Sequence, residues 1–326
     1  MYHMDFPSIK FIPGKEIANT KLEQLEQDVK SLQTPPTLAI VQLGSRQDST
    51  LYVDLKQKWA AIAGIRTKKI QLESFTGSHQ ELDYVKEELI PELNRNSHID
   101  GIIIQAPIPG IPLGEAIKVF NTIDPSKDVD GLTATSLGRL FQIKSFIEIL
   151  DGDFFVAATP MAAISCLSWV ANRKFTSDSM SKDHTDKLHK LCTGKKVLII
   201  NRSNIVGKPL LAMLQALNAT VTLAHSQTVN LKHLIADYDI VFTATGVRDM
   251  WQVSDFKPGQ IIIDIGINNN EPGKKVAGDV NIENLSENTT EELEPIYLAG
   301  VPGGVGPLTI VELLTNTYLS HLRTQE

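Results

Sequence analysis

The sequence predicts an α/β protein of two domains, each built on a parallel sheet. Short apolar runs rich in Ile, Val and Leu alternate with helix-spaced segments in both halves of the chain, which is the signature of βαβ units. The 326 residues are enough for two cores at roughly 100–200 residues per domain. A composition of 42% hydrophobic against 21% charged residues excludes a disordered chain.

Apolar periodicity predicts a helix over Lys15–Leu32, a strand over Thr37–Gln42 and a helix over Ser49–Ala63 that Gly64 ends. The run KKIQL (Lys68–Leu72) reads as a strand and His79–Leu93 as a helix. DGIIIQA (Asp100–Ala106) has the pattern of a buried strand, stopped by Pro107 and Pro109. At least three strands therefore precede Asp151, enough for one α/β domain of about 150 residues. The acidic, aromatic DGDFF (Asp151–Phe155) marks the crossing to a second series. Its strands are Lys196–Ile200, Thr220–Ala224, Asp239–Thr243 and Gln260–Asp264, with Val206–Leu217 as the first crossover helix. Between the two series, Asn172–Thr193 is polar and lacks apolar periodicity, so a mobile loop is expected in its middle. Gly306-Pro307 opens a last helix over Leu308–Leu322, because proline in a first turn forfeits no hydrogen bond.

Charge and cysteine content narrow the function classes. Lys and Arg number 31 against 38 Asp and Glu, and the net charge of -7 argues against a nucleic-acid surface. No run approaches the roughly 20 apolar residues that span a bilayer, and Met1–Lys10 lacks the apolar core of a signal peptide. With only Cys166 and Cys192, no disulfide framework is expected, and a cytoplasmic location follows.

Four segments hold candidate chemistry. First, strand KKVLII runs into NRSNIVGKP (Asn201–Pro209), then a helix, then a strand ending at His225-Ser226, the order of a dinucleotide site. Of the usual glycines only Gly207 is present, and by itself the segment fits an ordinary βα turn equally well. The second strand ends without the carboxylate that would bind a ribose 2′-hydroxyl, and Arg202 and Ser203 stand in the turn; if a nucleotide binds, this favours the 2′-phosphate of NADP. Second, Tyr52 and Lys56 are four apart on one helix face. Such a pair can stack on a planar ligand and exchange a proton, although spacing alone favours a solvent-facing pair. Third, Gln105 ends a buried strand, where ligands collect in open parallel sheets, and DPSKDVDG (Asp124–Gly131) follows it. That acidic segment reads as a solvated turn and fails the template of a calcium loop. Fourth, AGVPGGVGPLT (Ala299–Thr309) brings backbone close to a ligand or to another backbone. His184, His189 and Cys192 lack the paired spacing of a zinc site and are expected to be solvated, with no metal bound. Cys166 reads as a small core residue.

Taken in order, these segments closely resemble the bifunctional methylenetetrahydrofolate dehydrogenase/methenyltetrahydrofolate cyclohydrolase family. The resemblance runs through GKEIA (Gly14–Ala18), STLYVDLKQKWAAIAGI (Ser49–Ile65), DGIIIQAPIP (Asp100–Pro109), PSKDVDG (Pro125–Gly131), NRSNIVGKP, ATVTLAHSQT (Ala219–Thr228), IIIDIGIN (Ile261–Asn268), GDV (Gly278–Val280) and VPGGVGPLT. It implies a three-layer α/β catalytic domain over 1–157 and 308–326, with the C-terminal helix returning to it, and an NADP-binding Rossmann domain over 158–307. It also implies a homodimer that binds tetrahydrofolate derivatives. The implied reaction oxidises 5,10-methylenetetrahydrofolate with NADP⁺ and hydrolyses the methenyl product to 10-formyltetrahydrofolate. Lys56, Gln105, Tyr52 and Asp130 are the implied catalytic set: Lys56 moves protons, Gln105 sets its charge state, Tyr52 packs on the folate and Asp130 anchors the pterin. Val53, Asp54, Leu55, Ile104 and Ala106 flank that set, and Pro302, Gly303, Gly304, Val305 and Gly306 border the folate. Asn201, Arg202, Ser203, His225, Ser226 and Ile267 line the NADP site.

The chain departs from the family pattern near the cofactor. AATPMAA (Ala157–Ala163) keeps Thr159 and Pro160 but has neither the usual cysteine nor the usual glycine, which leaves Ala162 in the segment. Asn201 replaces the glycine before Arg-Ser, and Ser136 stands where an asparagine is usual. Two further readings remain open at this point: a cyclohydrolase without dehydrogenase activity, and a folate-binding protein without turnover.

Overall fold

Two all-parallel sheets organise the chain in the computed structural model, which describes residues 8–172, 182–268, 276–283, 285 and 294–325. The strands are β1 (Ile9–Phe11), β2 (Thr37–Leu43), β3 (Arg66–Leu72), β4 (Gly101–Ile104), β5 (Lys196–Ile200), β6 (Thr220–Ala224), β7 (Ile240–Thr243), β8 (Ile261–Asp264) and β9 (Ile296–Ala299). The helices are α1 (Gly14–Lys30), α2 (Gln47–Ile62), α3 (His79–Tyr84), α4 (Ile90–Arg95), α5 (Leu113–Phe120), α6 (Ala134–Leu140), α7 (Ile147–Asp151), α8 (Ala158–Asn172), α9 (Lys182–Cys192), α10 (Gly207–Ala216), α11 (Leu231–Ile235) and α12 (Val305–Gln325). Residue contacts divide the chain into two units. One holds Lys21–Ile143, Glu148–Ala158 and Ile310–Glu326; the other holds Met1–Thr20, Lys144–Ile147 and Thr159–Thr309.

The first unit carries the three-stranded sheet in the order β3-β2-β4. Ala39, Val41, Ile102 and Ile104 point to one side, where they pack with Leu82, Val85, Ile90 and Leu93 and with Val119 and Phe120 of α5. The alternate residues Leu38, Ile40 and Ile103 are equally buried, so β2 and β4 are apolar on both faces, as a parallel sheet covered on both sides requires. The expected helix over His79–Leu93 is one continuous helical segment in which a π turn (Val85–Leu89) joins α3 to α4. A capping box of Ser78 and Glu81 starts it.

Residues from Ile310 onward are fastened to this unit by polar side chains of α12. Asn316 Nδ2 donates to Val129 O (2.9 Å) and Val156 O (3.1 Å). Ser320 Oγ donates to Asp100 O (2.6 Å) and Ser126 O (3.0 Å). His321 Nδ1 lies 2.9 Å from Asp100 Oδ1, while Asp100 Oδ2 accepts from Thr37 N at 2.7 Å.

The second unit carries the six-stranded sheet in the order β1-β9-β8-β7-β5-β6. Its four expected strands are present as β5 to β8, and Leu198, Ile200, Val241, Ile262, Trp251 and Phe256 meet in its core. β1 and β9, three and four residues long, are too short for periodicity to announce, and they pair with each other. That pairing draws Ile9–Thr20 into this unit, whereas the expected domain ranges put them with the catalytic domain.

The expectation for Asn172–Thr193 needs correction. Residues 173–181 lie outside the described residues, but α9 is a helix that buries Leu188 and Cys192, four residues apart on one face. Only two apolar contacts in eleven residues gave too faint a period to read. Cys192 is thus a core residue and not a solvated one, and burial pushes its thiol up to about 12.

Candidate active site

In the three-stranded unit the site is assembled at the C-terminal ends of β2 and β4. Gln105 N donates to Val41 O at 2.8 Å, one further rung of the β2–β4 ladder. The Gln105 amide is held by Nε2 donating to Ala106 O (2.8 Å), which presents Oε1 to α2. Lys56, in the third turn of α2, donates from Nζ to that Oε1 at 2.9 Å. Burial pulls the Lys56 ammonium below the ordinary lysine range, with the Asp130 carboxylate opposing. Asp130 mirrors it: burial pushes its carboxyl up, and the Lys56 charge opposes. An amine in that state, beside a neutral amide acceptor, can take up and return a proton at lower pH than an exposed lysine can.

Asp130 stands in a loop that the fold immobilises. Asp128 is fully buried, and its carboxylate accepts from Leu132 N (3.1 Å), Thr133 N (2.8 Å) and Ser136 Oγ (2.7 Å). Burial pushes Asp128 up to about 6 against those hydrogen bonds. Lys127 Nζ donates to Asn94 O (2.8 Å) and Asn96 O (2.7 Å). Gly131, at φ +63°, passes so close to the Val156 backbone that a Cβ would sit 2.5 Å from its carbonyl carbon. The solvated turn expected for Asp124–Gly131 is therefore confined to its start. Asp124 and Ser126 are exposed, whereas Lys127, Asp128 and Val129 are buried. The signal for this was present in the sequence, since Val129 interrupts the charges with an apolar residue.

The remaining residues expected around the folate are not all placed alike. Tyr52, one turn before Lys56 on α2, is 39% exposed. Val53 and Ile104 are core residues, and Asp54 lies 4.0 Å from Lys69 of β3. Leu55 is exposed, and Ala106 is partly buried against the core. Pro302–Gly306 belongs to the six-stranded unit, where Gly303 O accepts from Lys15 N (2.8 Å) and Val305 starts α12. Pro302 is exposed, while Gly304 and Val305 are buried.

In the six-stranded unit β5, the turn over 201–206, α10 and β6 follow the dinucleotide-binding order. Arg202 is exposed beside Ser203 in that turn. At the end of β6, His225 N donates to Thr228 Oγ1 (2.9 Å) and Nδ1 of the ring accepts from Gln227 N (3.2 Å), with Ser226 exposed beside it. The strand end itself, His225-Ser226, carries no carboxylate. This donor set fits NADP, since guanidinium and hydroxyl donors suit a 2′-phosphate. Ile267, 45% exposed, projects from the loop after β8.

Two buried aspartates that sequence reasoning did not single out shape that edge. Asp264, which ends β8, accepts from Thr243 Oγ1 (3.1 Å), Gly266 N (2.9 Å), Asp279 N (3.2 Å) and Val280 N (2.8 Å). Asp279 accepts from Thr245 N (2.5 Å), Gly246 N (3.2 Å) and Asn268 Nδ2 (3.1 Å). The pair thereby ties together the loops after β7 and β8 and the 277–280 segment. Burial, with the neighbouring Asp279 charge adding to it, pushes Asp264 up to about 7. An Asp closing an all-Ile strand was the available signal.

Comparison with known proteins accords with this geometry. Residues 12–130 match the family model described as tetrahydrofolate dehydrogenase/cyclohydrolase, catalytic domain, and residues 183–325 match the NAD(P)-binding domain of the same family. The bifunctional protein FolD of Thermodesulfovibrio yellowstonii is 36% identical over 312 residues, 95% of each chain. Among solved structures, the bifunctional FolD dehydrogenase/cyclohydrolase of Campylobacter jejuni superposes with a TM-score of 0.78 at 30% identity, covering 97% of this chain and 99% of that one. The methylenetetrahydrofolate dehydrogenase-cyclohydrolase of Trypanosoma brucei, solved with NADP cofactor and inhibitor, gives 0.79 at 26% identity, covering 98% and 99%.

Proposed function

Because the chain belongs to the tetrahydrofolate dehydrogenase/cyclohydrolase family, we infer that it oxidises 5,10-methylenetetrahydrofolate with NADP⁺ and hydrolyses the 5,10-methenyl product to 10-formyltetrahydrofolate. The observation that carries the hydrolytic half is the 2.9 Å contact of Lys56 Nζ with Gln105 Oε1, at a place where burial lowers the lysine pKa. As a free amine, Lys56 takes a proton from the water that attacks the methenyl carbon. As ammonium it returns one to the ring nitrogen as the carbon–nitrogen bond breaks, and the second water proton leaves to solvent. Gln105 holds the amine in place and accepts from its charged form. Tyr52 stacks on the folate, and Asp130 anchors the pterin by accepting from its N–H groups. Leu55, Asp54 and Ala106 flank the substrate, with Val53 and Ile104 supporting them from the core.

NADP, when bound, supplies the hydride acceptor. Asn201, Arg202, Ser203, His225, Ser226 and Ile267 line its site, with Arg202 meeting the 2′-phosphate. Arg202→Ala is expected to raise KM for NADP⁺ about tenfold, the loss of one charge-assisted hydrogen bond, and to change KM for NAD⁺ less than twofold. An equal effect on both nucleotides would remove Arg202 from this role.

The test of the whole reading is a spectrophotometric assay with methylenetetrahydrofolate and either NADP⁺ or NAD⁺, following reduced nucleotide, methenyl formation and methenyl decay separately. Both halves stand if reduced nucleotide appears with NADP⁺ in preference to NAD⁺ and methenyl decay is accelerated. Acceleration of decay alone leaves a cyclohydrolase. The protein works as a homodimer in the cytoplasm on this reading; Cys166 and Cys192, both buried and neither in a disulfide, suit a reducing compartment. Light scattering at twice the chain mass checks the dimer.

A further inference from the structure

The turn after β5 differs from an ordinary phosphate-binding turn in what its donors already hold. Asn201 Oδ1 accepts from Ser203 N (2.8 Å), Ser203 Oγ (2.7 Å) and Gly207 N (3.0 Å). Its Nδ2 donates to Ala244 O (2.7 Å), which anchors the side chain to the end of β7. Val206 N donates to Ser203 Oγ (3.1 Å) and Lys208 N to Ser203 O (3.0 Å). Pro209 has no N–H, and Leu210 N already makes the first regular helical bond, to Val206 O (3.0 Å). Every backbone donor that the start of α10 offers is therefore used inside the protein or missing. Helix N-termini usually direct exactly those donors at a phosphate. The backbone of the turn also passes close to the helix start. A Cβ at Gly207 would lie 2.3 Å from Asn201 O and 2.9 Å from Asn201 Oδ1, so the amide oxygen sits directly over the helix start.

We propose that Asn201 is a specificity-determining residue that closes the N-terminus of α10 to the cofactor's pyrophosphate, leaving charge recognition to Arg202 and the 2′-phosphate. The inference rests on reading this turn as the NADP site. The Asn201 amide oxygen occupies the acceptor position that a phosphate oxygen takes in an open turn, but carries only a partial negative charge. A pyrophosphate entering there must first break three hydrogen bonds.

The experiment is a charge series at one position, read by calorimetric binding of NADP⁺ and by the melting temperature of the nucleotide-free protein. Asn201→Gly removes the internal acceptor and frees Ser203 N, Ser203 Oγ and Gly207 N. Its Kd for NADP⁺ is expected to fall at least threefold even though the nucleotide-free protein melts lower. Asn201→Asp puts a full negative charge over the same donors, and its Kd is expected to rise at least tenfold. A merely structural role predicts that both variants weaken binding in step with their loss of stability. That result, or an Asn201→Gly that binds no tighter than the parent, overturns the proposal while the NADP reading survives in the parent's own binding. If neither the parent nor Asn201→Gly binds NADP⁺, the NADP reading falls as well. Should Asn201→Gly fail to fold, an Asn201→Asp variant with unchanged Kd is sufficient to overturn the proposal.

Discussion

Lys56→Met removes methenyltetrahydrofolate hydrolysis, with a loss of at least about 100-fold in kcat, the low end of what a positioned proton-transfer group contributes. Methionine keeps most of the length and apolar stem of lysine, so α2 and the Gln105 strand end should stay in place, and a change in melting temperature of more than a few degrees would mean that the fold was being measured instead. A second substitution tests the charge state directly. Gln105→Glu places a carboxylate where the amide oxygen now accepts from Nζ at 2.9 Å. A nearby negative charge favours the ammonium form, so the lysine pKa rises and the alkaline shift appears in the pH profile of hydrolysis. In the parent, burial lowers the Lys56 pKa and Asp130 opposes it, so the free amine is available at lower pH than for an exposed lysine. An unchanged pH profile in Gln105→Glu, or a Lys56→Met protein that still hydrolyses at the parental rate, would remove Lys56 from the proton-transfer step.

The second large effect is expected in the stability of the six-stranded unit. Asp264 titrates near 3.8 when unfolded and near 7 when folded, because burial and the Asp279 charge disfavour its ionised form. Between those values the folded state keeps a proton that the unfolded state has lost. Stability from this group is therefore complete below about pH 4 and is lost as pH rises through 7, a change of about 4 kcal/mol at most. Asp128, raised to about 6, acts in the same direction in the other unit. Asp279→Asn leaves the burial that chiefly raises Asp264 but removes the charge that adds to it, and it sets amide hydrogens against Thr245 N or against Gly246 N and Asn268 Nδ2, which now donate to the carboxylate. The expected outcome is a loss of about 3 kcal/mol from buried donors left unpaired, together with a flatter dependence of stability on pH between 5 and 8. Urea unfolding at several pH values measures both. Stability that rises from pH 5 to 8 in the parent would contradict the raised Asp264 value.

Much of this protein was legible without coordinates, for reasons that the elements themselves explain. β2, β4, β5, β7 and β8 are buried on one or both faces of a parallel sheet, so their apolar runs stand out between polar segments, and α1, α2, α10 and α12 announced themselves by spacing and by the glycine or proline at an end. Tyr52, Lys56 and Gln105 could be picked out because four residues is one helical turn and a polar residue closing an apolar strand is conspicuous. Other features depend on partners far away in sequence. β1 exists because β9, almost three hundred residues later, offers it a ladder, and nothing in Ile9–Phe11 alone says so. α9 is held by two buried side chains, too few to register as a period. The acidic turn before Gly131 looked solvated because charge is normally solvated. Its aspartate is buried only because Leu132, Thr133 and Ser136 come round to meet it. Likewise an asparagine in place of a glycine reads as a lost phosphate turn, and three-dimensional packing shows where its oxygen goes. Local periodicity is written into neighbouring residues, whereas the partner of a buried polar group is chosen by the fold, and in this chain the groups that set charge and donor availability are of the second kind.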